Sequence, residues 1–395
     1  MGRLEHSWRS GLTRRNAVRG LAGFLAGSSL IHGQQDEFRD HSRVPGMDEL
    51  VNAFDFESAA FAKLPREVYN YTTHGSAGEF TLRRNRAAFD WVKLIPKGIP
   101  SAGKIDTSTE VCGTKMAFPI MVAPTAGHVA LHPEGEAATH VGCTAASGTP
   151  MIVSNVASLP LDKIAEAADG PLWFQLYPRQ QLEANRTLLE NAQQAGYQAV
   201  VVTIDQQAPY YERQLHDRHL RNLGGRSRRP RNAPASPYRV RDFRAWYEWK
   251  MFEELRPMIH VPMLAKGVLT AEDARLCVEN GLDGIVVSNH GGRALDYSPS
   301  SLEALPEIVD AVGGRIPVIV DSGFRTGSDV LKALALGASA ICLGRVPRWG
   351  LGSFGAAGVQ RVLEIIQAEL VLAMAHTGQS AVATIDRSLV RTDFS

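Results

Sequence analysis

The chain has 395 residues, 44% of them hydrophobic and 21% charged, with a formal net charge of +1. This length exceeds a usual single domain, but one α/β barrel with extensions accounts for it. The balanced charge excludes a global pull toward nucleic acid or an anionic membrane. Cys112, Cys143, Cys277 and Cys342 are scattered without a C-x-x-C pair, so they indicate neither a zinc site nor a disulfide framework and read as small buried apolar residues.

The first element in chain order is a leader over residues 1–35. Arg14 and Arg15 lie in Thr13-Arg14-Arg15-Asn16-Ala17-Val18-Arg19, and a weakly apolar run from Leu21 to Ile31 follows. Paired arginines before such a run are the order of a twin-arginine export signal. The run is too short for a comfortable transmembrane helix. Export as a folded protein to the periplasm is therefore expected, with a disordered basic leader on a cytoplasmic protein as the alternative. Residues 36–395 form the second unit.

From Met47 onward short apolar runs recur at Pro119–Ala123, Met151–Ser154, Leu172–Tyr177, Ala199–Ile204, Pro262–Lys266, Gly284–Asn289, Ile316–Asp321 and Ser339–Leu343. Segments of helical composition separate most of them, such as Leu182–Ala195, Ala271–Asn280 and Ser328–Leu336. Strands alternating with helices imply parallel pairing. Eight such units predict an α/β fold of the (β/α)8 TIM-barrel type with an N-terminal helical extension; a doubly wound sheet is the alternative. Residues with chemical capability end these runs or follow them: Gln175, Tyr177, Thr203, Asp205, Lys266, Ser288, His290 and Asp321. In a barrel those ends share one mouth, where active sites form.

Three motifs carry the chemistry. Ser288-Asn289-His290-Gly291-Gly292-Arg293 puts a base and a fixed cation on one glycine-bearing loop. The planar fork of Arg293 suits a carboxylate. Asp321-Ser322-Gly323-Phe324-Arg325 follows the seventh run and Gly344-Arg345 the eighth, where barrel enzymes bind phosphate. Lys266 ends the fifth run, where a buried ammonium needs a negative partner such as a reduced flavin.

With these motifs, Ala123-Pro124-Thr125-Ala126, His132-Pro133-Glu134-Gly135-Glu136, Phe174-Gln175-Leu176-Tyr177 and Val68-Tyr69-Asn70-Tyr71, the chain resembles the FMN-dependent 2-hydroxy-acid oxidases and dehydrogenases from about Met47 to near its C-terminus. That family includes glycolate and lactate oxidases and mandelate dehydrogenases. The resemblance implies that His290 is the active-site base, that Asp205 orients and stabilises its imidazolium, and that Tyr177 hydrogen-bonds the substrate hydroxyl. It implies that Arg293 and Tyr71 hold the carboxylate of a small L-2-hydroxy acid. Pro124, Thr125, Ala126, Gln175, Thr203, Lys266 and Ser288 would line the flavin ring and ribityl chain. Asp321, Ser322, Gly323, Phe324, Arg325, Gly344 and Arg345 would hold ribityl and phosphate.

Two departures stand out. Asn155 occupies a position where the family usually has serine, and its amide can still hydrogen-bond the flavin. After Asp205 the stretch Gln206–Arg213 replaces a basic, glycine-containing one; Arg213 is the candidate second substrate arginine after a one-residue shift, and ungapped alignment gives Glu212. Between Arg218 and Arg241 there are eight arginines, which read as a solvated basic loop or a docking surface. The expected reaction is oxidation to the 2-oxo acid, with FMN reoxidised by oxygen, a quinone or a redox protein, in a homo-oligomer. Another FMN barrel chemistry such as isomerisation, or a non-catalytic flavin-binding protein, are the alternatives.

Overall fold

A computed structural model of the chain describes residues 45–98, 103–205 and 247–394. The leader, Arg213 with its rewritten segment, and the arginine-rich stretch Arg218–Arg241 lie outside the described residues.

Eight parallel strands close a barrel: β1 Ile120–Val122, β2 Met151–Ser154, β3 Leu172–Leu176, β4 Val200–Thr203, β5 Met263–Val268, β6 Gly284–Val287, β7 Val318–Val320 and β8 Ala340–Leu343. Each pairs with its sequence neighbour, and β8 pairs with β1. The order follows from the alternation: a right-handed crossover through a helix returns each strand beside the last. A helix follows every strand, from Gly135–Ala145 after β1 to Arg345–Thr377 after β8. The doubly wound alternative is thereby excluded. The second run matches its strand, the fifth extends two residues past Lys266, and the other six strands are one to three residues shorter than expected because their ends leave the ladder to build loops. Helices Ala53–Lys63, Arg66–Thr73 and Phe80–Ala87 make the N-terminal extension.

Side chains alternate between the two faces of each strand. Met121, Ile152, Trp173, Val201, Leu264, Val286, Ile319 and Ala340 fill the barrel interior. A hairpin of Thr109–Val111 and Thr114–Met116 contributes Val111 and Met116 to that cluster, and Thr114 Oγ1 accepts from Trp173 Nε1 at 2.9 Å. The other parity packs against the helices.

Two residues further along each strand, the same inward parity gives Ala123, Ser154, Gln175, Thr203, Lys266, Ser288, Asp321 and Cys342. This layer is mostly polar, and all of it is buried. An apolar core thus ends in a polar floor at the C-terminal mouth. On β5, Gly267 sits in a bulge with φ +111°, and a Cβ there would come within 2.7 Å of Asp205 Cβ. Only glycine lets β5 pass that close to the end of β4.

Candidate active site

One cavity opens on this floor, with about 830 Å³ of space including its mouth. Its wall includes Tyr71, Pro124, Thr125, Ala126, Tyr177, Lys266, His290, Arg293, Asp321–Arg325, Gly344 and Arg345, so most of the expected residues converge there.

Four expected cofactor contacts are not on the cavity wall. Asn155 follows the last residue of β2, where the chain turns outward, and it faces a separate groove; Ser154 takes the place on the wall. Ser288 is covered because its Oγ accepts from Lys266 Nζ at 2.8 Å and from the His290 amide at 3.0 Å. Gln175 is held in the floor by a hydrogen bond from Ser154 Oγ to its Oε1 at 3.0 Å, and Thr203 lies in the same layer. Gln175 Nε2 and Thr203 Oγ1 are buried without a hydrogen-bond partner among the described residues. Buried polar atoms of this kind call for a ligand or water.

The loop after β6 is a left-handed turn with φ of +61°, +68° and +74° at His290, Gly291 and Gly292. A Cβ on Gly292 would lie 2.6 Å from the Leu82 amide nitrogen, so the loop seats directly on helix Phe80–Ala87. Asn289 fixes that seat through a reciprocal amide pair with Asn85, at 2.9 and 2.7 Å. The non-glycine His290 in this conformation is a strained position of the kind that clusters at functional sites.

His290 Nδ1 lies 2.8 Å from Asp205 Oδ1, and Nε2 lies 3.3 Å from the Tyr177 hydroxyl. The carboxylate therefore holds the proton on Nδ1 and leaves Nε2 as the acceptor facing the tyrosine. Lys266, 3% exposed, sits between two carboxylates, 3.4 Å from Asp321 Oδ2 and 3.8 Å from Asp205 Oδ2. Burial works against its charge, but Asp321 and Asp205 outweigh that and the net shift is upward. The ammonium is thus a fixed positive charge in the floor. Ser322, at φ +80°, donates to Asp321 Oδ1 at 2.7 Å and accepts from the Gly291 amide at 3.0 Å, so it ties the His290 loop to this cluster.

Cations also gather on the cavity wall. Arg293 Nη1 donates to the carbonyls of Tyr71 (2.6 Å) and His74 (3.0 Å). Arg345 donates to the carbonyls of Thr72, Gly291 and His74 at 3.0, 2.9 and 3.0 Å. Both guanidiniums thereby satisfy the open carbonyls at the C-terminus of helix Arg66–Thr73 and fix Tyr71. Arg345 has five N–H donors and uses three of them among the described residues, so two remain for an anion. Burial, then the neighbouring charges of Arg293 and Arg325, push the Arg345 guanidinium down to about 9. Arg325 is pushed down to about 10, chiefly by burial. A phosphate dianion bound among them would relieve that repulsion.

The residues present fit FMN. Gly323, Arg325, Gly344 and Arg345 supply amides and cations at one end of the cavity. Pro124–Ala126 and Lys266 line the same cavity and add a fixed positive charge, and the orphaned atoms of Gln175 and Thr203 lie in the floor beneath it. Besides Ser154, two contributors escaped the sequence reading. Arg348 lines the wall and is buried, and His128 stands behind Thr125. The histidine signal was its place four residues beyond Pro124; Arg348 carried none, since it lies inside a helix.

His128 Nδ1 is 2.8 Å from Thr139 Oγ1, and Nε2 is 2.7 Å from Thr125 Oγ1. Burial lowers it to about 4 from an ordinary 6.5. The folded chain keeps it neutral while the unfolded chain protonates it below about 6.5. Its contribution is therefore present above pH 6.5 and is lost as pH falls toward 4, by about 3 kcal/mol. In urea titrations across that window, His128→Asn should flatten the fall in stability relative to the wild type. An unchanged slope would show that His128 is already charged in the folded protein.

Comparison with known proteins agrees with this geometry. The family model described as FMN-dependent dehydrogenase matches residues 60–392. A peroxisomal (S)-2-hydroxyacid oxidase of Arabidopsis thaliana is 38% identical, covering 88% of this chain and 98% of that protein. The glycolate oxidase of Spinacia oleracea is 37% identical over 88% and 97%. A solved mandelate oxidase bound to (S)-2-phenylpropionate superposes with a TM-score of 0.77 at 36% identity, covering 88% of this chain and 99% of that one. The chain belongs to the FMN-dependent dehydrogenase family, and FMN is its cofactor.

Proposed function

We propose that the protein oxidises a small L-2-hydroxy acid, of the glycolate or lactate class, to the 2-oxo acid. The observation that carries this reading is that Tyr71, Tyr177, His290 and Arg293 line one cavity, with Asp205 hydrogen-bonded to His290. Arg293 and Tyr71 bind the carboxylate, which leaves the hydroxyl-bearing carbon before His290. Tyr177 orients the hydroxyl. The C–H and O–H bonds of that carbon break and a C=O bond forms, so two electrons and two protons leave the substrate. Bound FMN would supply the acceptor for the two electrons and the other proton. His290 Nε2 takes one proton, and Asp205 stabilises the resulting imidazolium. The names of the relatives, (S)-2-hydroxyacid oxidase, glycolate oxidase and mandelate oxidase, support the substrate class.

The test is anaerobic bleaching of the flavin by a panel of glycolate, the lactate enantiomers and the mandelate enantiomers. Bleaching by an L-acid supports the reading. A flavin that no member of the panel bleaches overturns it. Reoxidation is assigned to oxygen, a quinone or a redox protein, and a homo-oligomer is expected; hydrogen peroxide release and sedimentation measure the two. We also propose export of the folded, FMN-loaded protein by the Arg14-Arg15 leader. Replacing both arginines by lysine should hold the protein in the cytoplasm, and cytoplasmic, uncleaved wild type would sink this idea.

A further inference from the structure

Arg348 lies one turn into helix Arg345–Thr377, is 3% exposed, and lines the cavity. Its neighbours Val346, Trp349 and Leu351 are buried and apolar. An apolar side chain would fill such a position at lower cost than a buried cation. Arg348 Nε donates to Thr72 Oγ1 at 3.2 Å and Nη1 to the Ala126 carbonyl at 2.6 Å, and both acceptors are neutral. Nη2 is buried with no hydrogen-bond partner among the described residues. The guanidinium carbon stands 5.5 Å from the centre of the Tyr71 ring, and that of Arg293 stands 4.9 Å from the same ring. Burial lowers the Arg348 guanidinium from its ordinary range, while Tyr71 and Glu136 act in the opposite direction.

Two guanidiniums against one phenol ring are attracted to its π-face. They also put positive potential on the hydroxyl, which makes it a stronger hydrogen-bond donor to an anion. We propose that Arg348 is a positioning residue for substrate binding that acts through Tyr71, fixing the ring and polarising its hydroxyl toward the substrate carboxylate. Its bond to Ala126 joins this device to the loop on the flavin side, so the substrate-binding helix and that loop move as one unit. The proposal rests on the reading that Tyr71 meets the carboxylate.

A double-mutant cycle on the FMN-loaded enzyme tests it, with Arg348→Met, Tyr71→Phe and the double variant. The readouts are the dissociation constant of oxalate, taken from the flavin absorbance, and the half-saturation and limiting rate of anaerobic flavin reduction. Arg348→Met is expected to weaken oxalate binding and raise half-saturation about 10-fold, within the range of coupling between residues in contact. The limiting rate should change much less. In the Tyr71→Phe background the same substitution should add less than about 2-fold, because no hydroxyl remains to polarise.

Fully additive effects would overturn the role of Arg348 and leave that of Tyr71 intact. A silent Tyr71→Phe would overturn the carboxylate reading itself. Arg348→Gln removes the charge and keeps an amide donor for the Ala126 carbonyl. It serves in the same cycle if the methionine variant does not fold, and additivity there is equally fatal.

Discussion

Replacing His290 by alanine is expected to slow flavin reduction by the 2-hydroxy acid at least ~100-fold while FMN stays bound, as for loss of a general base. The expectation rests on which nitrogen is available. Asp205 Oδ1, 2.8 Å from Nδ1, fixes the tautomer, so Nε2 is the acceptor, and only that atom faces the Tyr177 hydroxyl at 3.3 Å. The surroundings also favour the imidazolium once it forms. Lys266 carries a fixed positive charge, yet Asp321 lies nearer to it than Asp205 does, at 3.4 against 3.8 Å. Asp205 is closer to the His290 ring than to the ammonium, 2.8 against 3.8 Å, and so stabilises the imidazolium. FMN retention should survive, because the cationic end of the cavity is built by Gly344, Arg345 and Arg325 without the imidazole. Stopped-flow reduction of the two proteins at matched flavin content makes the comparison. Near-normal reduction by the variant would remove His290 from the mechanism.

Much of this arrangement is legible in the sequence, for a physical reason. Each barrel strand is a short apolar run whose inward residues alternate, and in six of the eight the run ends where the inward parity becomes polar. Ile152 to Ser154, Val201 to Thr203, Leu264 to Lys266 and Ile319 to Asp321 all make that change. Strand order then follows from the intervening helices, and convergence of the polar ends follows from closure. Polarity at a strand end does not say whether a side chain reaches the cavity or is covered by a neighbour. Gln175, Thr203 and Ser288 are held beneath the wall, and Asn155 turns away from it, because of contacts that span more than ten residues of sequence. Arg348 was illegible for a related reason: within a long helix an arginine reads as a solvent-facing residue, and only the docking of helix Arg66–Thr73 against it buries the charge. The capping of that helix by Arg293 and Arg345 is likewise tertiary.

Arg293→Met is expected to cost 2–5 kcal/mol in substrate binding or turnover, the usual loss when a buried guanidinium opposite a carboxylate is neutralised. That corresponds to roughly 30- to 5000-fold. Two effects combine in this loss. The variant removes the planar fork that grips the carboxylate, and it frees the carbonyls of Tyr71 and His74, which Nη1 now holds at 2.6 and 3.0 Å. The second effect loosens Tyr71, so binding suffers twice from one substitution. Arg293→Lys separates them, because an ammonium keeps the charge and can still reach one carbonyl but cannot bind bidentately. The lysine variant should recover part of the affinity and little of the discrimination between a 2-hydroxy acid and its amide. FMN content should be normal in both, since Arg345 and Arg325 remain. Half-saturation and limiting rate of anaerobic reduction, measured for acid and amide, give the answer. If Arg293→Met loses acid and amide in equal proportion, the guanidinium serves only to hold helix Arg66–Thr73, and the substrate carboxylate must be bound elsewhere.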